Sequence, residues 1–147
     1  MAAKKLVYRY YSRKPIIVAC VRDVVTKKIT LVQMVVDTGA DHSCFPARLA
    51  KTLGYDNLRH GVKTHHVKGI GGHSKSFLHK LQICLIRPDK SKDNKPVLAW
   101  QSKPKMAPFV KKLSLSYGII GMDLIDQWRS VSFERMGKRK FITMRLK

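Results

Sequence analysis

Acidic residues are scarce in this sequence: nine Asp and Glu stand against 30 Lys and Arg among 147 residues, a formal charge of +21. So few carboxylates cannot pair with so many cations, which leaves a basic surface solvated or facing an acidic partner. Cysteine is nearly absent too. Cys20, Cys44 and Cys84 are odd in number, far apart and without a C-x-x-C pair, which argues against a disulfide framework and against a cysteine zinc site. Small buried thiols in a reducing, cytoplasmic compartment are expected instead. No apolar run approaches the roughly 18 residues of a membrane-spanning helix, so no membrane contact is expected. The first 22 residues mix basic and apolar positions without a secretory h-region, and their aromatic and β-branched residues read as strand. Of six histidines, His60, His65 and His66 sit close together, with His73 and His79 following, and metal ligation would need partners on one face of one element. Adjacent His65 and His66 would point to opposite faces of a strand, so exposed polar positions are expected and no metal site.

A hydrophobic share of 44% is enough for a packed core, and the length suits one domain over residues 1–147. Short β-branched runs dominate. Ile16 to Val21 reads as a strand buried on both faces, Thr26-Lys27-Lys28 as a connection, and Ile29 to Val36 as the returning strand of a hairpin. Pro46, Leu49, Leu53 and Gly54 mark a helix of about two turns over residues 47–53. Val62 to Lys68 and Ser76 to Ile86 read as strands flanking Gly69-Ile70-Gly71-Gly72. In the second, Leu81, Ile83 and Leu85 alternate with Lys80 and Gln82, giving one apolar face. The charged stretch 87–96 reads as an exposed loop, Val97 to Trp100 as a strand, and Pro104 and Pro108 as breaks. Tyr117 to Ile120 is extended, Gly121 to Trp128 has helical spacing, and Val131–Glu134 with Phe141–Met144 forms a last hairpin. No internal repeat is present.

The chemistry is concentrated in Val36-Asp37-Thr38-Gly39-Ala40-Asp41. A carboxylate at the end of an apolar strand is costly to ionise by burial, Thr38 offers a short hydroxyl, and Gly39 allows a tight turn and close approach. An Asx-type turn closing a strand would use the same three residues. This segment resembles the active-site strand of retropepsin-like aspartic proteases, the retroviral and retrotransposon family with bacterial relatives. Lys68-Gly69-Ile70-Gly71-Gly72 is similar to that family's glycine-rich flap, and Tyr117-Gly118-Ile119-Ile120-Gly121-Met122-Asp123-Leu124 to its apolar strand running into a short helix. The three motifs occur in the family's order across residues 14–128.

The resemblance implies a mainly β, closed retropepsin-like barrel with a flap hairpin and one or two short helices, working as a homodimer. One chain carries a single Asp-Thr-Gly, whereas the chemistry needs two carboxylates around one water, one acting as base and one as acid. Asp37 of each subunit would therefore meet at a two-fold axis. The same resemblance implies that Thr38 braces the paired loops and that Gly39 bonds the substrate backbone. Ala40 and Asp41 then line the peptide's path, Ile70 tips the flap between the backbone amides of Gly69 and Gly71, and Ile119 lines a side-chain pocket. An extended peptide or polyprotein would be held by strand addition, with no cofactor and no metal. Two departures stand out. Met122 occupies a position where viral members carry an arginine paired with the counterpart of Asp41, so Arg13 or Lys14 could serve across the dimer. The chain also continues past the helix into a hairpin, as retrotransposon and bacterial members do.

Two other readings compete with an endopeptidase: a dimer that binds peptides without turnover, and a catalytically weak domain binding nucleic acid or an acidic partner through its basic surface. Residues 1–22 and 135–147 each carry six basic residues and no acid, so the charge gathers at the two ends of the chain. The aromatics do not interleave with these cations along the sequence as a stacking platform would.

Overall fold

A computed structural model describes residues 4–55, 64–69, 72–92, 95–110 and 117–147. Eleven strands are present among them: β1 (Lys5–Tyr10), β2 (Ile16–Asp23), β3 (Ile29–Val36), β4 (Phe45–Pro46), β5 (Thr64–Gly69), β6 (Gly72–Lys92), β7 (Lys95–Gln101), β8 (Lys105–Val110), β9 (Gly118–Ile120), β10 (Trp128–Met136) and β11 (Arg139–Leu146). Two single-turn helices, α1 (Leu49–Thr52) and α2 (Met122–Ile125), interrupt them.

The larger sheet runs β4-β8-β6-β2-β3-β9, with β5 and β7 paired to the long β6. Its two ends meet at residues 44–46. Cys44 bridges Ile119 on β9, while Phe45 and Pro46 pair in parallel with Phe109 and Val110 on β8. The sheet thereby curls into a barrel. The apolar alternation of β6 is the reason it can: Leu81, Ile83 and Leu85 are all buried, each contributing about 1.5–3 kcal/mol of apolar transfer. The smaller sheet, ordered β1-β11-β10, closes over the open side of this core. Leu6 and Tyr8 from β1, Ile142, Met144 and Leu146 from β11, and Trp128 join the same apolar cluster as the barrel residues.

Several expectations are corrected. The described part of residues 87–96 is not a loop: β6 continues to Lys92 and β7 begins at Lys95, with Ser91 opposite Pro96 and Lys92 opposite Lys95. Asp89 and Lys95 are exposed, and such charge does not abolish strand pairing. Pro108 does not break the chain but lies within β8 opposite Leu78. A proline costs the ladder one N–H, and burial of Ala107 and Phe109 on the same strand keeps it extended. Strand β2 is not buried on both faces throughout, because Val18 remains 41% exposed. Both helices are shorter than their sequence patterns. Leu53 follows α1 in a turn closed by Gly54 at φ 97°, and Trp128 belongs to β10. His79 is not an exposed strand position but is buried, 4.4 Å from the Tyr55 ring and edge-on to Phe109 at 4.7 Å.

The connection between β2 and β3 is a turn organised by Asp23. Its Oδ1 accepts the amides of Val25 and Thr26, each at 2.8 Å, and Lys27 takes φ 63°. The three cysteines are buried free thiols, with Cys20 directly opposite Cys84 in the β2–β6 ladder. No helix of the described residues is long and apolar enough to cross a membrane.

Candidate active site

Asp37 follows β3, whose last three residues are buried between β2 on one side and the parallel β9 on the other. The apolar run Met34-Val35-Val36 drives the chain inward, and Asp37 is the first residue to escape. Its own amide donates to Ile120 O at 2.9 Å, extending the β3–β9 ladder by one rung. Beyond it the chain turns sharply: Ala40 N donates to Asp37 O at 3.2 Å and Gly39 N to Asp37 Oδ1 at 2.9 Å. A Cβ at position 39 would stand 3.2 Å from that same carboxylate oxygen, so glycine keeps the approach open. Asp37 is half-buried, whereas Thr38, Gly39, Asp41 and His42 are exposed. The carboxylate is thus held from behind by main chain and presented to solvent in front.

A second layer pins this loop to α2. Met122 N donates to Ala40 O at 2.7 Å and Asp123 N to Asp41 O at 3.1 Å. Asp123 turns its carboxylate back onto the loop, accepting Ser43 N at 3.0 Å and Ser43 Oγ at 2.6 Å. The Ser43 hydroxyl in turn accepts Gly121 N at 2.9 Å. Lys105, at the start of β8, closes the network with an ion pair to Asp123. Burial pushes the Asp123 carboxyl upward, but the Lys105 ammonium and the two Ser43 donors outweigh it and hold the group below the usual carboxylate range. Gly121 is required by proximity: a Cβ there would meet His42 C at 2.7 Å and Ala40 O at 2.8 Å. Beneath the loop, Cys44 is buried and its thiol is pushed up to about 11, chiefly by burial and next by the Asp123 charge.

The residues named from sequence fall into two groups. Asp37, Thr38, Gly39, Ala40 and Asp41 form one loop. Ile119 lies directly against it, opposite Val35 on β9 and exchanging two backbone bonds with Cys44. Gly69 belongs to a separate hairpin, where it pairs with Gly72 at the end of β5 and β6. Ile70 and Gly71 lie outside the described residues. Among the described residues Asp41 has no ion pair, and neither Arg13 nor Lys14 reaches a carboxylate. Sequence reasoning missed Ser43 and Lys105. Neither carries a local signal, since Lys105 meets Asp123 only through the folding of β8 beside α2. Among the described residues no group of histidine, cysteine or acid side chains could hold a metal ion.

Comparison with known proteins gives the same outline. A family model described as aspartyl protease matches residues 28–124, from the start of β3 into α2. Among solved structures, a retropepsin-like aspartic protease from Rickettsia conorii aligns over 99% of both chains with a TM-score of 0.55 at 16% identity. The EIAV protease, solved with the inhibitor HBY-793, aligns over 80% of this chain and 91% of its own, with a TM-score of 0.50 at 18% identity. A comparison with curated proteins returned no match. At such identities the two structures establish a shared retropepsin-like fold.

Proposed function

Because the chain belongs to the aspartyl protease family, we propose that it is an aspartic endopeptidase whose catalytic unit is a homodimer. The observation that carries this reading is the posture of Asp37, a carboxylate fastened at the end of a buried strand yet open to solvent on one side. One such group cannot both activate water and protonate the leaving amine. Two related by a two-fold axis can, because carboxylates that close cannot both ionise easily and so share one proton. The ionised member takes a proton from the attacking water as its oxygen bonds to the scissile carbonyl carbon, the protonated member donates to the carbonyl oxygen, and the proton taken from water passes to the amine nitrogen as the C–N bond breaks.

In this reading Thr38 braces the paired loops, Gly39, Ala40 and Asp41 meet the peptide backbone, and Ile119 shapes a side-chain pocket. The Gly69-Ile70-Gly71 tip covers the substrate as a flap. The exposure of Thr38, Gly39 and Asp41 supports their availability to a partner subunit and to substrate. The three buried free thiols support a reducing, cytoplasmic setting, and we take residues 1–147 as one domain.

The test is cleavage of a mixed peptide library by wild type and by Asp37→Asn over about pH 4 to 8, with sedimentation on the same samples. The expectation is cleavage that is lost in Asp37→Asn while the dimer persists. Equal cleavage by both proteins, or full activity from a strict monomer, would refute the shared pair. A verified wild-type dimer without cleavage would favour the reading of a peptide-binding dimer.

A further inference from the structure

The charge is not spread evenly over the fold. The small sheet β1-β11-β10 and its flanks hold five cations in residues 4–14 and seven in residues 128–147, against the single acid Glu134. The ion pairs among the described residues are Arg87–Asp89 and Lys105–Asp123, so none of these twelve cations has a carboxylate partner among the described residues. Strand register makes matters worse. Lys5 lies directly opposite Arg145, and Arg135 directly opposite Lys140. Like charges in facing positions destabilise a sheet; Lys140 is eased by the Ser12 carbonyl and the Tyr10 ring, but no carboxylate among the described residues pairs with any of the four.

Burial separates the two faces. On β1, Lys5, Val7 and Arg9 are exposed while Leu6 and Tyr8 are buried. On β11, Arg139 and Arg145 are exposed while Ile142, Met144 and Leu146 point into the core. The outer face therefore carries Lys5 and Arg9 on β1 and Arg139 and Arg145 on β11, strands of six and eight residues or about 20 and 26 Å at 3.3 Å per residue, with Glu134 opposite Phe141 as the one acid on that face. Register also supplies what the linear sequence withheld. Phe141 comes to lie opposite Arg9, and the Arg9 guanidinium stacks over Tyr11 at 4.8 Å. At that end a groove of about 450 Å³ opens between β1 and β2, lined in part by Arg9, Tyr10, Tyr11, Val18 and Gln33. Tyr11 is 78% exposed, leaving much of its ring free.

We propose that the outer face of the β1-β11-β10 sheet binds single-stranded nucleic acid, with Lys5, Arg9, Arg139 and Arg145 on phosphates and Tyr11 stacking on a base. The partner must bring regularly spaced negative charge along the sheet, which a phosphodiester chain does at every residue. Three of the four outward cations are arginines, whose planar fork suits phosphate oxygens. A second copy of the chain is a poor occupant, because two such faces would repel. A lipid surface is disfavoured as well, because the outward apolar groups stand singly and not as a stripe that could enter hydrocarbon.

Binding is measured by fluorescence anisotropy with labelled oligo(dT) and RNA of about 20 nucleotides across a salt series. The wild type should bind both with a steep dependence of log K on log salt, and Asp37→Asn should bind equally well. The variant Lys5→Gln/Arg9→Gln/Arg139→Gln/Arg145→Gln should bind at least tenfold more weakly at about 0.1 M salt, with a slope reduced by about 3. It should fold with an unchanged or higher Tm, since a facing like-charge pair is gone. The charge-matched control Lys27→Gln/Lys51→Gln/Lys95→Gln/Lys103→Gln, built on exposed positions elsewhere, should keep the wild-type slope. Tyr11→Ala should weaken binding about tenfold with the slope unchanged, the signature of lost stacking. Equal loss in both quadruple variants would overturn the proposal, as would an unchanged slope in the sheet variant. Tighter binding to polyglutamate or to phosphatidylserine vesicles than to either oligonucleotide would also overturn it.

Discussion

Removing the Lys105 ammonium should loosen the loop that carries Asp37, and the cost can be worked from the contacts. Lys105→Met keeps most of the side chain's apolar length and deletes only the charge facing Asp123. Breaking a buried ion pair by removing one partner costs about 3–5 kcal/mol when the survivor is left uncompensated. Asp123 is not left so: it retains the Ser43 amide and hydroxyl and the Leu124 amide, and its side chain is 13% exposed. A loss of about 2 kcal/mol is therefore expected, which for a chain of this size lowers Tm by about 7 °C. The pH dependence gives the sharper test. Asp123 has its folded pKa below the ordinary carboxylate value, so its contribution is complete above about pH 5 and fades as pH falls through the folded value. Without Lys105, burial dominates and that contribution shrinks. The gap between wild type and variant should thus be widest near neutrality and close in acid. Thermal unfolding followed by circular dichroism at several pH values measures it. Asp123→Asn should cost less than Lys105→Met, since its amide oxygen can still accept from Ser43. The double variant should be milder than the sum, with a coupling of about 1–2 kcal/mol. A gap that stays constant from neutral pH into acid, or strict additivity, would refute the reasoning.

Further outcomes follow from the same geometry. Gly121→Ala drives a methyl into the backbone of Ala40 and His42, and urea unfolding should show a loss of about 1–3 kcal/mol, accompanied by reduced peptide cleavage. Phe109→Ala removes a fully buried ring that packs on Phe45 and His79, and should cost about 3–5 kcal/mol in the same assay. The Cys44 thiol, pushed up to about 11, should resist alkylation near pH 8 in the native protein and react on unfolding; native-state labelling at the unfolded rate would contradict its burial. Self-association should strengthen with ionic strength because two strongly cationic chains repel at low salt, and sedimentation insensitive to salt would count against it.

Much of the barrel was legible along the chain because its signals are local. The alternation Leu81, Ile83, Leu85 defined an apolar face on β6, and the run into Asp37 defined a strand ending in a carboxylate loop. Where pairing partners decide the outcome, local signals misled. The charged stretch 87–96 read as a loop, yet Ser91 and Lys92 pair with Pro96 and Lys95 in the β6–β7 ladder. Pro108 read as a break, yet the buried residues around it kept β8 extended. His79 read as surface, yet Tyr55 and Phe109 enclosed it.

The sequence by itself determined the chemistry on offer: one Asp-Thr-Gly at the end of an apolar run, and a surplus of cations at both ends of the chain. Only the tertiary structure decided what those pieces meet. Ser43, Lys105 and Asp123 are separated by 18 to 80 residues and become one network because β8 and α2 pack against the same loop. Lys5 and Arg145, close to opposite ends of the chain, face each other because β1 pairs with β11. Hydrophobic periodicity records which way each side chain faces, but it holds no information on which distant segment will lie alongside. That is settled by packing, where burial of the shared core selects one set of neighbours.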